Sequence, residues 1–123
     1  MDGIGDMTTE VQITKNRGHL LYLRKVMSIM ALRLGMTRKA IAETHHAVAS
    51  ICFKSDGMLC IRLSASEVYL VVEVAGMALP EQISLKRISR LVDDVEFAGH
   101  VIRLTKLVKK TETAAYSPAL GTE

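Results

Sequence analysis

The sequence predicts an α+β domain: a two-layer sandwich in which a mixed, mostly antiparallel sheet carries its helices on one face. Three observations predict it. Two long segments, His19–Leu34 and the stretch opened by Thr37 and closed by Ser55, repeat apolar residues every three or four positions, the spacing of one helical face. Four shorter segments, Glu10–Thr14, Met58–Leu63, Val68–Val74 and His100–Val108, alternate apolar and polar residues or run through β-branched ones. The helical patterns are grouped rather than interleaved one-for-one with the strands, which separates a helix layer from a sheet layer.

Taken in order, residues 1–7 form a flexible N-terminus, 8–108 a single domain and 109–123 a polar, flexible tail. Glu10–Thr14 reads as a short edge strand, and Asn16-Arg17-Gly18 as a break. In the first helix Leu20, Leu23, Val26, Met27, Met30, Ala31 and Leu34 form the buried stripe, with Arg24, Lys25 and Arg33 on or beside the other face. Gly35 tolerates the left-handed conformation that ends a helix, and the Thr37 hydroxyl can accept from an orphan N–H at the start of the next. That second helix turns Ala40, Ile41, His46 or Ala47, Val48, Ile51 and Cys52 toward the core. Ser55-Asp56-Gly57 is a tight turn, after which Met58–Leu63 and Val68–Val74 make an antiparallel hairpin around Ser64-Ala65-Ser66. Ala75–Pro80 is a loop. Ser84 can cap a third helix that buries Leu85, Ile88, Leu91 and Val92. Val95-Glu96-Phe97 pairs briefly, and in the last strand Val101, Leu104 (or Ile102) and Val108 point inward.

Composition narrows the function classes. Hydrophobic residues make up 49% and charged residues 24% of the 123, which excludes a disordered chain and allows a core without metal or disulfide staples. With no tryptophan and seven methionines, that core is aliphatic and sulfur-rich. A net charge of +3 without a dense Lys/Arg run speaks only weakly for nucleic acid. Cys52 and Cys60 sit in apolar contexts and read as small buried hydrophobes in a reducing compartment. No segment approaches the roughly 20 apolar residues of a membrane span, and the acidic start MDGIGDMTTE has no apolar signal region. The expected location is the cytoplasm, with no membrane partner.

Gly35 through Lys54, Leu70–Ala78, and Ile88–Phe97 with Gly99 and Val101–Lys106 together resemble the anti-sigma-factor serine-kinase branch of the gyrase, chaperone and histidine-kinase ATPase superfamily. The resemblance covers about residues 8–108 and rests on hydrophobic pattern and element order. It implies a histidine-kinase-like ATPase fold, here shortened and without the lid. It also implies where nucleotide chemistry should sit. The family's Asn-containing helix supplies a glutamate base and, one turn later, a metal-holding asparagine; the matching positions are Ser50 and Lys54. Serine without a partner is a poor base, and a lysine ammonium cannot ligate a cation. The aspartate that should accept from the adenine amino group is Val74; Gly76 is kept, and the second glycine of that loop is Ala78. Only about ten residues separate Ala78 from the apolar stripe of the third helix, too few for a lid and a phosphate loop. Sliding the register to use Glu43 puts Ala47 at the asparagine position, which restores nothing. The expectation is therefore a degenerate member: no catalytic residue, no cofactor, no metal and no kinase or ATPase activity. Its partners would be proteins, namely a sigma factor, an anti-sigma antagonist-like domain or a second copy of the domain.

Other constellations are weaker. His45 and His46 are adjacent on a helix, about 100° apart, so they cannot chelate one metal together. Cys52 with His45 seven residues earlier lacks a third orienting group for nucleophilic catalysis. The alternative function is a DNA-binding regulator with a helix-turn-helix at about 29–51. There Ala31, Gly35 and Ile41 fill the small, turn and buried positions, and Arg38, Lys39 and His45 face the groove.

Overall fold

A computed structural model describes residues 7–76 and 85–108. Its elements are β1 (Met7–Ile13), α1 (Arg17–Arg33), α2 (Arg38–Phe53), β2 (Leu59–Ala65), β3 (Tyr69–Ala75), α3 (Leu85–Ile88), β4 (Asp94–Ala98) and β5 (Val101–Leu107). The strands form one five-stranded open sheet in the order β1-β2-β3-β5-β4, and every neighbouring pair is antiparallel. The α+β sandwich is as expected. The sheet is wholly antiparallel rather than mixed: β2–β3 and β4–β5 are hairpins, the latter turning at Gly99, and β1–β2 and β3–β5 also pair antiparallel.

Two local devices fix the helix starts. The Asn16 side chain accepts from the Gly18 and His19 amides at 2.7 and 3.4 Å, and the Thr37 hydroxyl accepts from the Ala40 amide at 3.1 Å. Between the helices Gly35 takes a φ of 85°, the left-handed turn the sequence called for. The helices cover one face of the sheet. On that face Val11 and Ile13, Leu59, Ile61 and Leu63, Leu70, Val72 and Val74, and Ile102 and Leu104 are buried, each lying across from an inward neighbour in the ladder. Leu20, Leu23, Met27, Met30 and Ala31 of α1, and Ala40, Ile41, Ala47, Val48, Ile51 and Cys52 of α2, close the core from above.

Several details differ from the sequence reading. The alternation places Ile102 and Leu104 inward and Val101 outward on β5. On α2 it is Ala47 that is buried, and His46 that is exposed. The third helix is a single turn: Ile88 and Val92 are buried, but Leu85 stays 46% exposed and Leu91 and Val92 follow in a turn. Strand β1 starts at Met7 rather than Glu10, since its ladder to β2 extends to Ala65. Ala78, the capping role of Ser84, the shortened lid interval and the polar tail lie outside the described residues.

Candidate functional site

Helix α2 and the end of β3 carry the positions at which the resemblance puts nucleotide chemistry. Ser50 is half-buried on α2, and its hydroxyl donates to the carbonyl of His46 one turn earlier, at 2.8 Å. That bond ties the hydroxyl's own proton to the helix backbone, and among the described residues no neighbouring base is placed to activate it. Lys54 is exposed and caps the helix, its amide donating to the Ile51 carbonyl at 3.2 Å. Val74 is fully buried, paired across the sheet with Ile61 on one side and Ile102 on the other. It is a core residue with no hydrogen-bonding atom to offer. Gly76 sits just past β3 at φ 148°, donating its amide to the His100 carbonyl at 3.2 Å. A Cβ there would lie 3.2 Å from the Leu59 side chain and 3.3 Å from the Met58 carbonyl, so the glycine is accounted for by close packing against the start of β2.

The remaining candidates resolve into local packing. Cys52 is fully buried, and burial pushes its thiol up to about 11, well away from a thiolate at neutral pH. Cys60 is half-buried on the opposite face of the sheet, and both cysteines are free. Among the described residues no group of three His, Cys, Asp or Glu side chains could hold a metal. Of the groove-facing set in the helix-turn-helix reading, Arg38 and Lys39 are exposed at the start of α2 and His45 is half-buried, while Ile41, its buried position, is in the core.

His45 is instead an interhelical link: its Nε2 lies 3.0 Å from the Leu20 carbonyl of α1. Burial lowers its pKa below 6.5 against the opposing effect of that bond, and the nearby Arg24 and His46 charges lower it further. The unfolded chain therefore takes up the proton at a higher pH than the folded one, so acid favours unfolding. The His45 contribution is fully present above about pH 6.5 and is lost as the pH falls below it. Urea melts from pH 7.5 to 5 should show stability falling with acid, and His45→Gln, which keeps a donor for Leu20, should flatten that fall. Equal slopes for the two proteins would contradict the assignment.

Two side-chain arrangements were not anticipated from the sequence. On the helix side, Lys106 of β5 is 11% exposed. Its ammonium donates to Glu43 Oε1 of α2 at 3.1 Å and to the Leu91 carbonyl at 2.8 Å. Glu43, the one carboxylate that could be slid into the base position, is thus committed to a cation.

On the open side, each strand contributes one charge to a row across the whole sheet: Glu10, Arg62, Glu73, Arg103 and Glu96, alternating in sign. Arg62 meets Glu10 at 2.6 Å and Glu73 at 3.9 Å. Arg103 meets Glu73 at 2.9 Å and Glu96 at 3.4 Å. Hydrogen bonds to Glu10 and Glu73, respectively, hold the two guanidinium pKa values above their ordinary range. The row lies beside a shallow trough of about 610 Å³ flanked by Tyr69, Val71, Asp94 and Thr105. Charges so paired keep an uncovered sheet face wet and discourage sliding of one strand past the next.

Helix α1 carries a further surprise. Opposite its buried stripe it exposes Leu21, Tyr22, Ile29 and Leu32, each between 55% and 59% accessible. The helix is apolar on both sides, one side against the sheet and the other toward solvent. No described helix is long and apolar enough to cross a membrane. No known protein-family model matches the chain, and a search of curated proteins finds no significant match.

Proposed function

We propose that this chain is a non-catalytic regulatory or adaptor domain of the anti-sigma type, acting in the bacterial cytoplasm through protein contacts and without ATP. The observation that carries the reading is that the positions at which the resemblance puts nucleotide chemistry hold groups with none. The α+β order β1-α1-α2-β2-β3-α3-β4-β5, with helices on one face of the sheet, is compatible with the order of elements in that family. Within it, the Ser50 hydroxyl is used by its own helix, Lys54 brings a positive charge where a cation should sit, and Val74 is an aliphatic core residue. Base, metal ligand and adenine acceptor each contribute several kcal/mol to binding or catalysis in an active site, so joint loss is not offset by one neighbouring change.

Such a scaffold keeps its surfaces, and the outward face of α1 supports a binding role, since contiguous exposed apolar side chains on a small domain mark interaction sites. A sigma factor, an antagonist-like domain or a second copy of the chain is the partner class. Isothermal titration with Mg-ATP should give no saturable heat; a micromolar Kd would overturn the reading. Titration with duplex DNA at low salt addresses the alternative, a helix-turn-helix at about 29–51 that would present Arg38 and Lys39. Affinity falling steeply with salt would favour DNA.

A further inference from the structure

Helix α1 combines an exposed apolar strip with a one-sided charge. Leu21, Lys25, Ile29 and Leu32 recur at helical spacing and face away from Leu20, Leu23, Met27 and Met30, which are buried. From Leu21 to Leu32 the strip is about 16 Å long, three turns of helix. Its borders are basic: Arg17 and Arg24 on one side, Arg33 on the other, with Lys25 near the middle. No Asp or Glu occurs anywhere between Val11 and Ala42. Among the described residues Arg17, Arg24 and Lys25 have no carboxylate within ion-pair distance. This contrasts with the open sheet face, where every arginine of the central row is paired within the chain.

We infer that this face of α1 docks an acidic amphipathic helix of a partner protein, with leucine-like side chains at three- and four-residue spacing and Asp or Glu along both borders. The inference rests on the adaptor reading and names the partner's chemistry. A convex ridge of side chains is complemented by a second helix whose ridges fall into its grooves. Arg17 and Arg24 on one border and Arg33 on the other then meet carboxylates at the rim, where they set orientation and encounter rate. Lys25 decides among surfaces. In a lipid interface an ammonium in the centre of the apolar strip would be pressed against acyl chains, whereas basic interfacial helices keep Lys and Arg on the polar face. Against nucleic acid, Leu21, Ile29 and Leu32 would be set on phosphates. Against a protein helix, Lys25 needs one facing carboxylate.

The test places a photoreactive amino acid at position 29 in the full-length protein, in cells of the organism that makes it. A second protein carries it at position 105 on the open sheet face. The expected adduct at position 29 is a peptide of another protein with Asp or Glu flanking apolar residues at helical spacing. Its yield should fall at least about ten-fold in a protein that also carries Arg24→Glu and Lys25→Glu, roughly the 1.4 kcal/mol effect of losing a few rim pairs. Both sites are exposed, so an unchanged far-UV spectrum and melting temperature separate lost docking from lost folding. An adduct at 29 with lipid, nucleic acid, another copy or another segment of this chain overturns the inference. So does an adduct indifferent to the charge reversals. Protein adducts from position 105 alone sink the α1 assignment and leave the adaptor reading standing; no protein adduct from either site counts against both.

Discussion

Replacing Val74 with aspartate, the adenine-acceptor letter that the resemblance to the ATPase family would put there, should unfold the protein rather than confer nucleotide binding. Val74 is fully buried between Ile61 and Ile102 on the helix-facing side of the central strand. A carboxylate placed there has aliphatic neighbours on both flanking strands. An unpaired buried charge costs several kcal/mol even after relaxation, against a total stability of about 5–15 kcal/mol for a domain of this kind. The expected result at pH 7 is a collapse of the urea midpoint, with most of the population unfolded. Because a neutral carboxylic acid is far cheaper to bury than its anion, lowering the pH toward 5 should recover part of the lost structure, opposite to the acid sensitivity expected from His45. Val74→Ala supplies the calibration: it leaves only a small cavity and should cost about 1–3 kcal/mol while remaining cooperative. A well-folded Val74→Asp protein that binds Mg-ATP would mean that this position opens onto a pocket. It would remove both the core assignment and the non-catalytic reading.

How far the chain could be read in advance depended on whether the signal was local. The start of α2 was legible because a cap is a matter of three or four consecutive residues, Thr37 before Ala40; at α1 the triplet Asn16-Arg17-Gly18 reads as a break, whereas Asn16 caps the helix and Arg17 and Gly18 are its first residues. The four main strands were legible from alternation. The inward set on β5 was left between two registers, and only pairing with Leu70, Val72 and Val74 of β3 fixes Ile102 and Leu104 as the buried pair. The third helix was overread: Leu85, Ile88, Leu91 and Val92 have helical spacing, yet the chain leaves the helix after Ile88 and buries Val92 from a turn. The chemistry of Ser50, Lys54 and Val74 can be judged from the letters alone. That Val74 is core, and that the Ser50 hydroxyl is tied to its own backbone, required the fold.

Long-range charge was the least legible level. Glu10, Arg62, Glu73, Arg103 and Glu96 each occupy the polar phase of a strand, and nothing within one strand says that they share a row. The strand order β1-β2-β3-β5-β4 puts them side by side, and it depends on β5 inserting between β3 and β4. Similarly, the outward apolar strip of α1 was hidden by its inward one. Val26 and Leu34 were assigned to the core stripe, and Leu21, Tyr22, Ile29 and Leu32 were simply unassigned. A helix rich in Leu, Ile and Met on all sides reads as buried until the structure leaves half of it uncovered. The excess was itself the signal: more large apolar residues than one face can hold, on a helix with no acidic residue.

The Lys106–Glu43 pair should be worth more to stability than any ion pair on the open sheet face, and its two members should be strongly non-additive. Lys106 reaches up from β5 into the helix layer, where its ammonium holds Glu43 of α2 and the Leu91 carbonyl beyond α3. It joins three elements that are distant in sequence. The side chain is 11% exposed for Lys106 and 32% for Glu43, so the pair lies between the surface and buried regimes. Surface pairs give about 0–1 kcal/mol, and removing one member of a buried pair costs about 3–5 kcal/mol. Glu43→Ala, which strands the ammonium with one carbonyl, should therefore cost about 2 kcal/mol, or roughly 8–16 °C in melting temperature for a domain near 100 residues. Lys106→Met removes the charge that needs a partner and keeps an unbranched aliphatic side chain, so it should cost less. In the double variant Glu43→Ala with Lys106→Met the charges leave together, and the loss should be well below the sum of the single losses, a coupling of about 1–2 kcal/mol. By contrast, Glu10–Arg62 on the open face connects neighbouring strands already joined by a full ladder. Strict additivity at Glu43 and Lys106 in urea melts would mean that the contact between α2 and β5 is incidental. Strong coupling would identify it as the polar tie that holds α2 against the sheet.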